Sequence, residues 1–191
     1  KNVNLRQKVL KEMDEKGLEC DCIRCAEVKD KDFKVEEAEL FIDEYNGVDS
    51  KEYFISYRSP NRRILYGFLR LRINDTNEDL VYDTLEDSAL VRELHVYGQL
   101  IKHDSAKTDN SVQHQGLGKK LLKKSEEICL ENDIYKVSII SGVGVRDYYR
   151  KNGYSLENNY MTKYLYKGVD YDYTGWFLKV CIIIVFISII Y

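Results

Sequence analysis

Apolar positions recur with two different periods along this chain, and the switches between them mark its elements. Leu5, Val9 and Met13 fall on one stripe of a helix over Asn4–Lys16, which Gly17 closes. Residues 38–45 are ambiguous, because their apolar positions fit a strand or a short helix. Alternation is clear at Tyr53–Tyr57 and Ile64–Ile73, where Leu69, Leu71 and Ile73 alternate with Arg70 and Arg72. The turn Ser59-Pro60-Asn61 joins these two strands. Residues 74–88 hold Asp75, Glu78, Asp79, Asp83, Glu86 and Asp87 with no basic residue, the pattern of a solvated loop. Ala89–Val96 is a further strand, Tyr97–Ser111 a long loop and Val137–Ser141 another strand. Between the last two, a helix over Lys119–Glu131 sets Leu121, Leu122, Ser125, Ile128 and Cys129 on one face. Lys120, Lys123, Lys124 and Glu127 lie opposite them. No internal repeat is present.

The last stretch is different in kind. Residues Thr174–Tyr191 read TGWFLKVCIIIVFISIIY, with Lys179 as the one charge. As a helix this spans roughly 27 Å, just short of the ~30 Å hydrocarbon core of a bilayer. A buried C-terminal strand or helix is one reading. A C-terminal transmembrane helix is the preferred one, since Trp176 and Tyr191 sit where interfacial aromatics would. Such an anchor leaves the folded domain facing the cytosol. The flanking Lys163, Lys167 and Lys179 favour the mitochondrial outer membrane over the endoplasmic reticulum.

The bulk numbers narrow the classes. A chain of 191 residues is one domain, or one domain with an appendage. A formal charge of −3 does not announce a nucleic-acid binder, so such a role must rest on local basic patches. A single proline and abundant Lys, Glu and Asp fit a structured domain rather than a disordered chain. Five cysteines, an odd count without secretory features, suggest a reducing compartment. Lys1 stands where an initiator methionine would, which sets the expectation of a fragment from the C-terminal side of a longer polypeptide.

One short motif carries chemistry. Gln113-His114-Gln115-Gly116-Leu117-Gly118 matches Q-x-x-G-x-G and opens directly into the amphipathic helix. Two glycines let the backbone approach an anion, and the first N–H groups of the helix point at it. The helix, the strand Val137–Ser141 and the segment Tyr148-Tyr149-Arg150-Lys151-Asn152-Gly153-Tyr154 then follow in the order an acyl-coenzyme A site requires. The set resembles motifs A and B of the GCN5-related N-acetyltransferase superfamily. That resemblance implies an α/β fold, with a mixed, mostly antiparallel sheet flanked by helices.

Three blocks narrow the resemblance further. They are Val91-Arg92-Glu93-Leu94-His95-Val96-Tyr97-Gly98, the Gly motif, and Ile140-Ser141-Gly142-Val143-Gly144-Val145-Arg146-Asp147-Tyr148-Tyr149-Arg150-Lys151. Together they are similar to the acetyltransferase-like domain of the Elongator catalytic subunit family, over roughly residues 2–166. The resemblance implies three parts. Residues 1–30 are a linker helix and Cys-containing segment from the side of a radical S-adenosylmethionine domain, 31–167 the acetyltransferase-like domain, and 168–191 the anchor. The iron–sulfur cluster and S-adenosylmethionine belong to the radical domain, for which no cluster-binding cysteine motif occurs here.

The resemblance also assigns roles. Glu93, Leu94, His95 and Val96 fall on the strand that offers backbone groups to acetyl-CoA. Gln113, Gly116, Leu117, Gly118 and Lys119 surround its pyrophosphate, where Lys119 is as well explained by a solvated lysine. Glu93 stands where many acetyltransferases place a general base, and His95 is a second candidate for the same role. Alternation puts the two on one face. For each, catalysis and a structural hydrogen bond stay open. Tyr149 matches the tyrosine that reaches the thioester sulfur, as acid to the leaving thiolate or as a coenzyme A contact, whereas Tyr148 is expected to pack.

Cys20, Cys22 and Cys25 form C-x-C-x-x-C, which suits zinc with a fourth ligand from elsewhere or three reduced, half-buried thiols. Cys129 and Cys181 look like apolar filler. Arg58, Arg62, Arg63, Arg70 and Arg72 on the hairpin, and Lys1, Arg6, Lys8 and Lys11 on the first helix, make either a solvated face or a tRNA-contacting one.

The implied function is an acyltransferase domain that supplies acetyl from acetyl-CoA for carboxymethyl-type modification of carbon 5 of a tRNA wobble uridine. Other Elongator subunits or a second copy, and a membrane, are the expected partners beside tRNA. Two alternatives are a protein lysine N-acetyltransferase and a non-catalytic, membrane-tethered tRNA-binding module.

Overall fold

The computed structural model describes residues 4–28, 37–78, 80–97 and 116–166. Seven strands form one sheet in the order β1-β2-β3-β4-β5-β7-β6. The first four are β1 (Glu39–Gly47), β2 (Ser50–Arg58), β3 (Leu65–Asn74) and β4 (Ala89–Val96). They run as an antiparallel meander. Helix α3 (Leu117–Glu131) then crosses over to β5 (Lys136–Ile140), which pairs parallel to β4. β6 (Ser155–Glu157) and β7 (Tyr160–Tyr164) close the far edge as an antiparallel hairpin, with β7 beside β5. A parallel pair needs a crossover of this length, and the amphipathic helix supplies it.

The core lies between α3 and one face of the sheet. Leu121, Leu122, Ile128 and Cys129 of α3 pack on Ile55, Leu69, Leu71, Val91, Val137 and Ile139. Leu69, Leu71, Ala89, Val91 and Val137 are fully buried. The apolar stripe expected of this helix therefore meets the apolar phase of the alternating strands.

The opposite face is polar near the outer end of β4. Glu52 of β2, its side chain only 5% exposed, accepts from Arg92 Nη1 at 3.0 Å and from Arg72 Nη1 at 3.3 Å. A buried carboxylate is tolerated there because two guanidinium groups share it.

The N-terminal part enters the domain early. Helix α1 (Leu5–Glu15) buries no residue. After it, the single-turn helix α2 (Ile23–Ala26) packs Ala26 against Leu65 and Phe68. Val28 N–H donates to the Leu65 carbonyl at 3.2 Å, and Val28 is buried.

The differences from the expected elements are local. Of residues 38–45, all but Ala38 belong to an edge strand, β1, whose pairing with β2 settles the ambiguity between helix and strand. α3 starts at Leu117, two residues before Lys119, because Gly116 takes the left-handed conformation (φ 67°) and begins the helix there. The β6–β7 hairpin has no counterpart in the periodicity. Its strands are short, and they turn at Asn158 with φ 51°. Gln113, most of the loop expected over 97–111, and the apolar stretch 174–191 lie outside the described residues. Among the described residues no helix is long and apolar enough to cross a membrane.

Candidate active site

A β-bulge in β4 creates the site. Leu71 pairs with Val91 and Arg70 with Glu93, so Arg92 is the extra residue. A bulge of this kind switches the side-chain phase and increases local twist. Val91 before it, and Leu94 and Val96 after it, all face α3. Glu93 is thereby turned to the opposite face instead of into the core. Past the bulge β4 also parts from β5, since the two pair only from Ala89↔Val137 to Val91↔Ile139. The edge of β4 from residue 92 to 96 consequently faces a V-shaped opening.

That opening is a groove of about 680 Å³. Leu94 and Val96 form one wall, Gly116, Gly118 and Lys119 the base, and Val145, Tyr148, Tyr149, Lys151 and Asn152 the other wall. The first helical N–H groups of α3, those of Leu117, Gly118 and Lys119, precede the first intrahelical acceptor pairing, Lys120 N to Gly116 O at 3.0 Å. They converge with the positive end of the helix dipole, a cradle suited to a pyrophosphate. Gly118 keeps the cradle open, and Gly116 supplies the positive φ from which the helix starts. Leu117 itself is buried against Val28 and Tyr66 and anchors the helix end.

The two adjacent tyrosines come from α4 (Arg146–Lys151). Tyr149 is 6% exposed, belongs to the main core and meets Tyr154 edge-on at 6.2 Å. Tyr148 leans over the cradle, with its hydroxyl where a Cβ on Gly118 would lie, 2.6 Å away. Burial raises both phenols above their ordinary pKa, so both remain protonated donors at neutral pH. Both line the groove. Consecutive residues of a helix point about 100° apart, so one faces the core and the other the cradle.

Glu93 and His95 are together, on the sheet face away from α3. Glu93 Oε1 lies 3.1 Å from His95 Nε2, and Glu93 Oε2 lies 3.6 Å from Arg70 Nε. The backbone of the same residues borders the opening that holds the groove on its other side. The sequence marks Arg70 only as part of the basic hairpin face, not as a partner of Glu93. Its guanidinium lies over the rings of Phe54 and Phe68, and the pairing of β3 with β4 brings it to Glu93.

The three N-terminal cysteines also come together. Their Sγ atoms lie within 4.8 Å of one another. Arg6 of α1 donates through Nη2 to Cys25 Sγ at 3.0 Å. The Cys25 backbone N–H, the Cys20 thiol and Arg6 hold the Cys22 thiol down to about 6. A compact set of three soft donors, with Cys22 held toward the thiolate, fits a tetrahedral metal short of one ligand.

No family model matches the chain. Curated proteins do. Elongator complex protein 3 of Schizosaccharomyces pombe is 41% identical over 167 residues, covering 85% of this chain and 30% of that protein. The tRNA uridine(34) acetyltransferase of Methanocaldococcus jannaschii is 38% identical over 172 residues, covering 86% of this chain and 31% of its own. Among solved structures, the archaeal Methanocaldococcus infernus Elp3 with an N-terminal deletion superposes with a TM-score of 0.69 at 36% identity. It covers 86% of this chain and 40% of that one. The chain thus spans about a third of the length of the curated relatives it matches. With these likenesses over a mixed α/β sheet, the chain belongs to the Elongator complex protein 3 family, as its acetyltransferase-like domain.

Proposed function

We propose that this domain binds acetyl-CoA in the groove between β4 and β5 and serves the acetyl-CoA-dependent modification of a tRNA wobble uridine. The observation that carries the reading is the parting of β4 from β5 directly above the Gly116–Lys119 cradle. The archaeal relative, named for its action on uridine 34 of tRNA, supports the substrate class.

In this reading Leu117, Gly118 and Lys119 present N–H groups to the pyrophosphate. The free edge of β4, residues 93–96, hydrogen-bonds the pantetheine arm and the thioester carbonyl. Glu93, 3.1 Å from His95 Nε2, is the base that removes a proton from an attacking nucleophile. A phenol of the Tyr148–Tyr149 pair protonates the departing thiolate. Tyr149 has the position in the motif, and Tyr148 has the more open hydroxyl.

Transfer to carbon 5 of uridine through the acetyl methyl group needs more than these residues. The methyl hydrogen must first be abstracted by a radical, and no described side chain generates one. The carboxymethyl-type product is therefore assigned to this domain acting with a radical-forming partner domain. Cys20, Cys22 and Cys25 would hold zinc together with a fourth ligand, tying the N-terminal segment to the sheet.

The apolar stretch 174–191 as a membrane anchor, and the cytosol-facing location that follows, are part of the same proposal. Resistance of the chain to alkaline carbonate extraction is the expected outcome, and release as a peripheral protein contradicts it.

To test the division of labour, the chain is incubated with acetyl-CoA and substrate tRNA, and the nucleosides are analysed by mass spectrometry. Bound acetyl-CoA with unmodified uridine is expected. Carboxymethyl-type uridine formed by this chain alone would contradict it.

A further inference from the structure

Three aromatic rings stand side by side across the sheet on the face away from α3. Phe54 of β2 and Phe68 of β3 stack with centroids 5.0 Å apart and an interplanar angle of 18°. Phe68 and His95 of β4 follow at 5.5 Å and 21°. Tyr97 lies 6.2 Å from both Phe68 and His95. Those near-equal distances form a triangle, so Tyr97 sits beside the Phe68–His95 pair rather than beyond it. Among the described residues the row therefore ends at His95. β5, the strand that would carry the next rung, has already parted from β4 at Val91↔Ile139. The His95 side chain is 55% exposed, and its ring contacts are to Phe68 and Tyr97.

From this geometry we infer that the outer face of His95 is a stacking platform for the acceptor base, a planar pyrimidine of an RNA strand lying on the sheet face away from α3, at the mouth of the opening whose other side holds the acyl-donor groove. This rests on the proposed acyl-donor groove and adds to it the place of the acceptor. Three features fit a base better than a peptide side chain. The Glu93 carboxylate, 3.1 Å from Nε2, fixes the plane of the imidazole, and Phe68 supports it from behind. Arg70 is engaged with Glu93, which moderates the carboxylate's repulsion of a polyanion. Arg58 stands over Phe54 at 5.5 Å and donates to Ser56 Oγ and the Arg62 carbonyl, and the Asp43 carboxylate that pairs with Arg62 also acts on it, so two guanidinium groups face one carboxylate there. Of these rings Phe68 is buried between its neighbours, so the stack offers one open π face, that of His95, backed by Phe68 and with Arg70 beside it, the kind of face on which a single unpaired base stacks. A flipped or unpaired base gains from it whatever its hydrogen-bonding edge, and the loop of an anticodon presents such bases.

The test uses the full chain in mild detergent and an anticodon stem–loop RNA with uridine at the wobble position, compared with the same RNA abasic there. His95→Ala weakens binding of the uridine RNA by about tenfold, whereas His95→Phe stays within about threefold of the unsubstituted chain. The abasic RNA binds all three forms alike. Equal binding of the uridine RNA by His95→Ala and the unsubstituted chain overturns the inference. So does a His95→Phe variant as weak as His95→Ala, or an unsubstituted chain that binds no RNA. Thermal unfolding of each variant certifies its fold. Calorimetry of the unsubstituted chain with acetyl-CoA tests the donor groove separately. Acetyl-CoA binding together with an inert His95 series removes this inference alone, and failure to bind acetyl-CoA removes the reading beneath it.

Discussion

The hydroxyl of Tyr148 occupies the space that a side chain on Gly118 would need, since a Cβ there would lie 2.6 Å from the hydroxyl oxygen and 3.5 Å from Cζ. The clash is with the far end of a rotatable side chain, so it is relieved by moving Tyr148. Gly118→Ala should cost less than about 1 kcal/mol of stability, helped by the better helix propensity of alanine. It should nevertheless displace the hydroxyl from the cradle. In a Tyr148→Phe background that displacement has nothing to act on. A double-mutant cycle on acetyl-CoA affinity is expected to show coupling between the two sites, and additive effects would contradict it.

Glu52 is expected to matter more to the fold than the arginines it holds. Its carboxylate is buried, whereas Arg72 and Arg92 reach solvent. Glu52→Ala leaves two guanidinium groups facing each other without their shared carboxylate and should destabilise by about 2 kcal/mol, below the cost of breaking a fully buried pair. Arg92→Ala leaves Arg72 in place and should cost under about 1 kcal/mol. Urea unfolding of the two variants measures the difference, and equal losses would show that the carboxylate is not the centre of the row.

A second polar knot fixes α3 to the β7 side of the sheet. The Tyr154 hydroxyl donates to Glu126 Oε1 at 2.7 Å, and Lys163 Nζ donates to the same carboxylate at 2.8 and 2.9 Å. Burial and the neighbouring Glu126 charge drive the Tyr154 phenol up, so it is a neutral donor at neutral pH. Tyr154→Phe should cost about 2 kcal/mol, as loss of a hydrogen bond to a charged acceptor does. Chemical denaturation at neutral pH checks this, and a variant of unchanged midpoint would show that Lys163 alone satisfies Glu126.

The thiols should separate sharply by reactivity in metal-free protein. Hydrogen bonds from the Cys25 backbone, Cys20 and Arg6 bring Cys22 down to about 6, so it is mostly thiolate at pH 7. Burial pushes Cys129 up to about 12, so it stays protonated. Iodoacetamide at pH 7 should label Cys22 first and Cys129 only after denaturation. Zinc should protect Cys22, and Cys22→Ser should lose bound metal. Labelling of Cys22 at the same rate with and without zinc would count against metal at this cluster.

The meander and the crossover were legible because β2, β3, β4 and α3 each bury one face, so alternation or helical period marks them. β1 was ambiguous because an edge strand contacts the core along one side only; even its inward Leu40 and Ile42 remain exposed. The cradle was legible from two glycines before a helix. The phase of β4 was not. Simple alternation would give Val91 and Glu93 the same face, and only pairing with β3 reveals that the bulge at Arg92 separates them. Glu93 and His95 were rightly placed together because both follow the bulge. The environments of Tyr148 and Tyr149 were also hidden, since helical phase fixes their angular separation but tertiary packing decides which one turns inward.

Acetyl-CoA titration by calorimetry, on the unsubstituted chain and on Gly118→Asp, tests the central claim most directly. The unsubstituted chain should bind with one-to-one stoichiometry. Gly118→Asp should abolish binding while remaining folded, because its carboxylate meets the pyrophosphate where the helix N–H groups should. Equal affinity in the two proteins would contradict the assignment of the groove between β4 and β5 as the acyl-donor site.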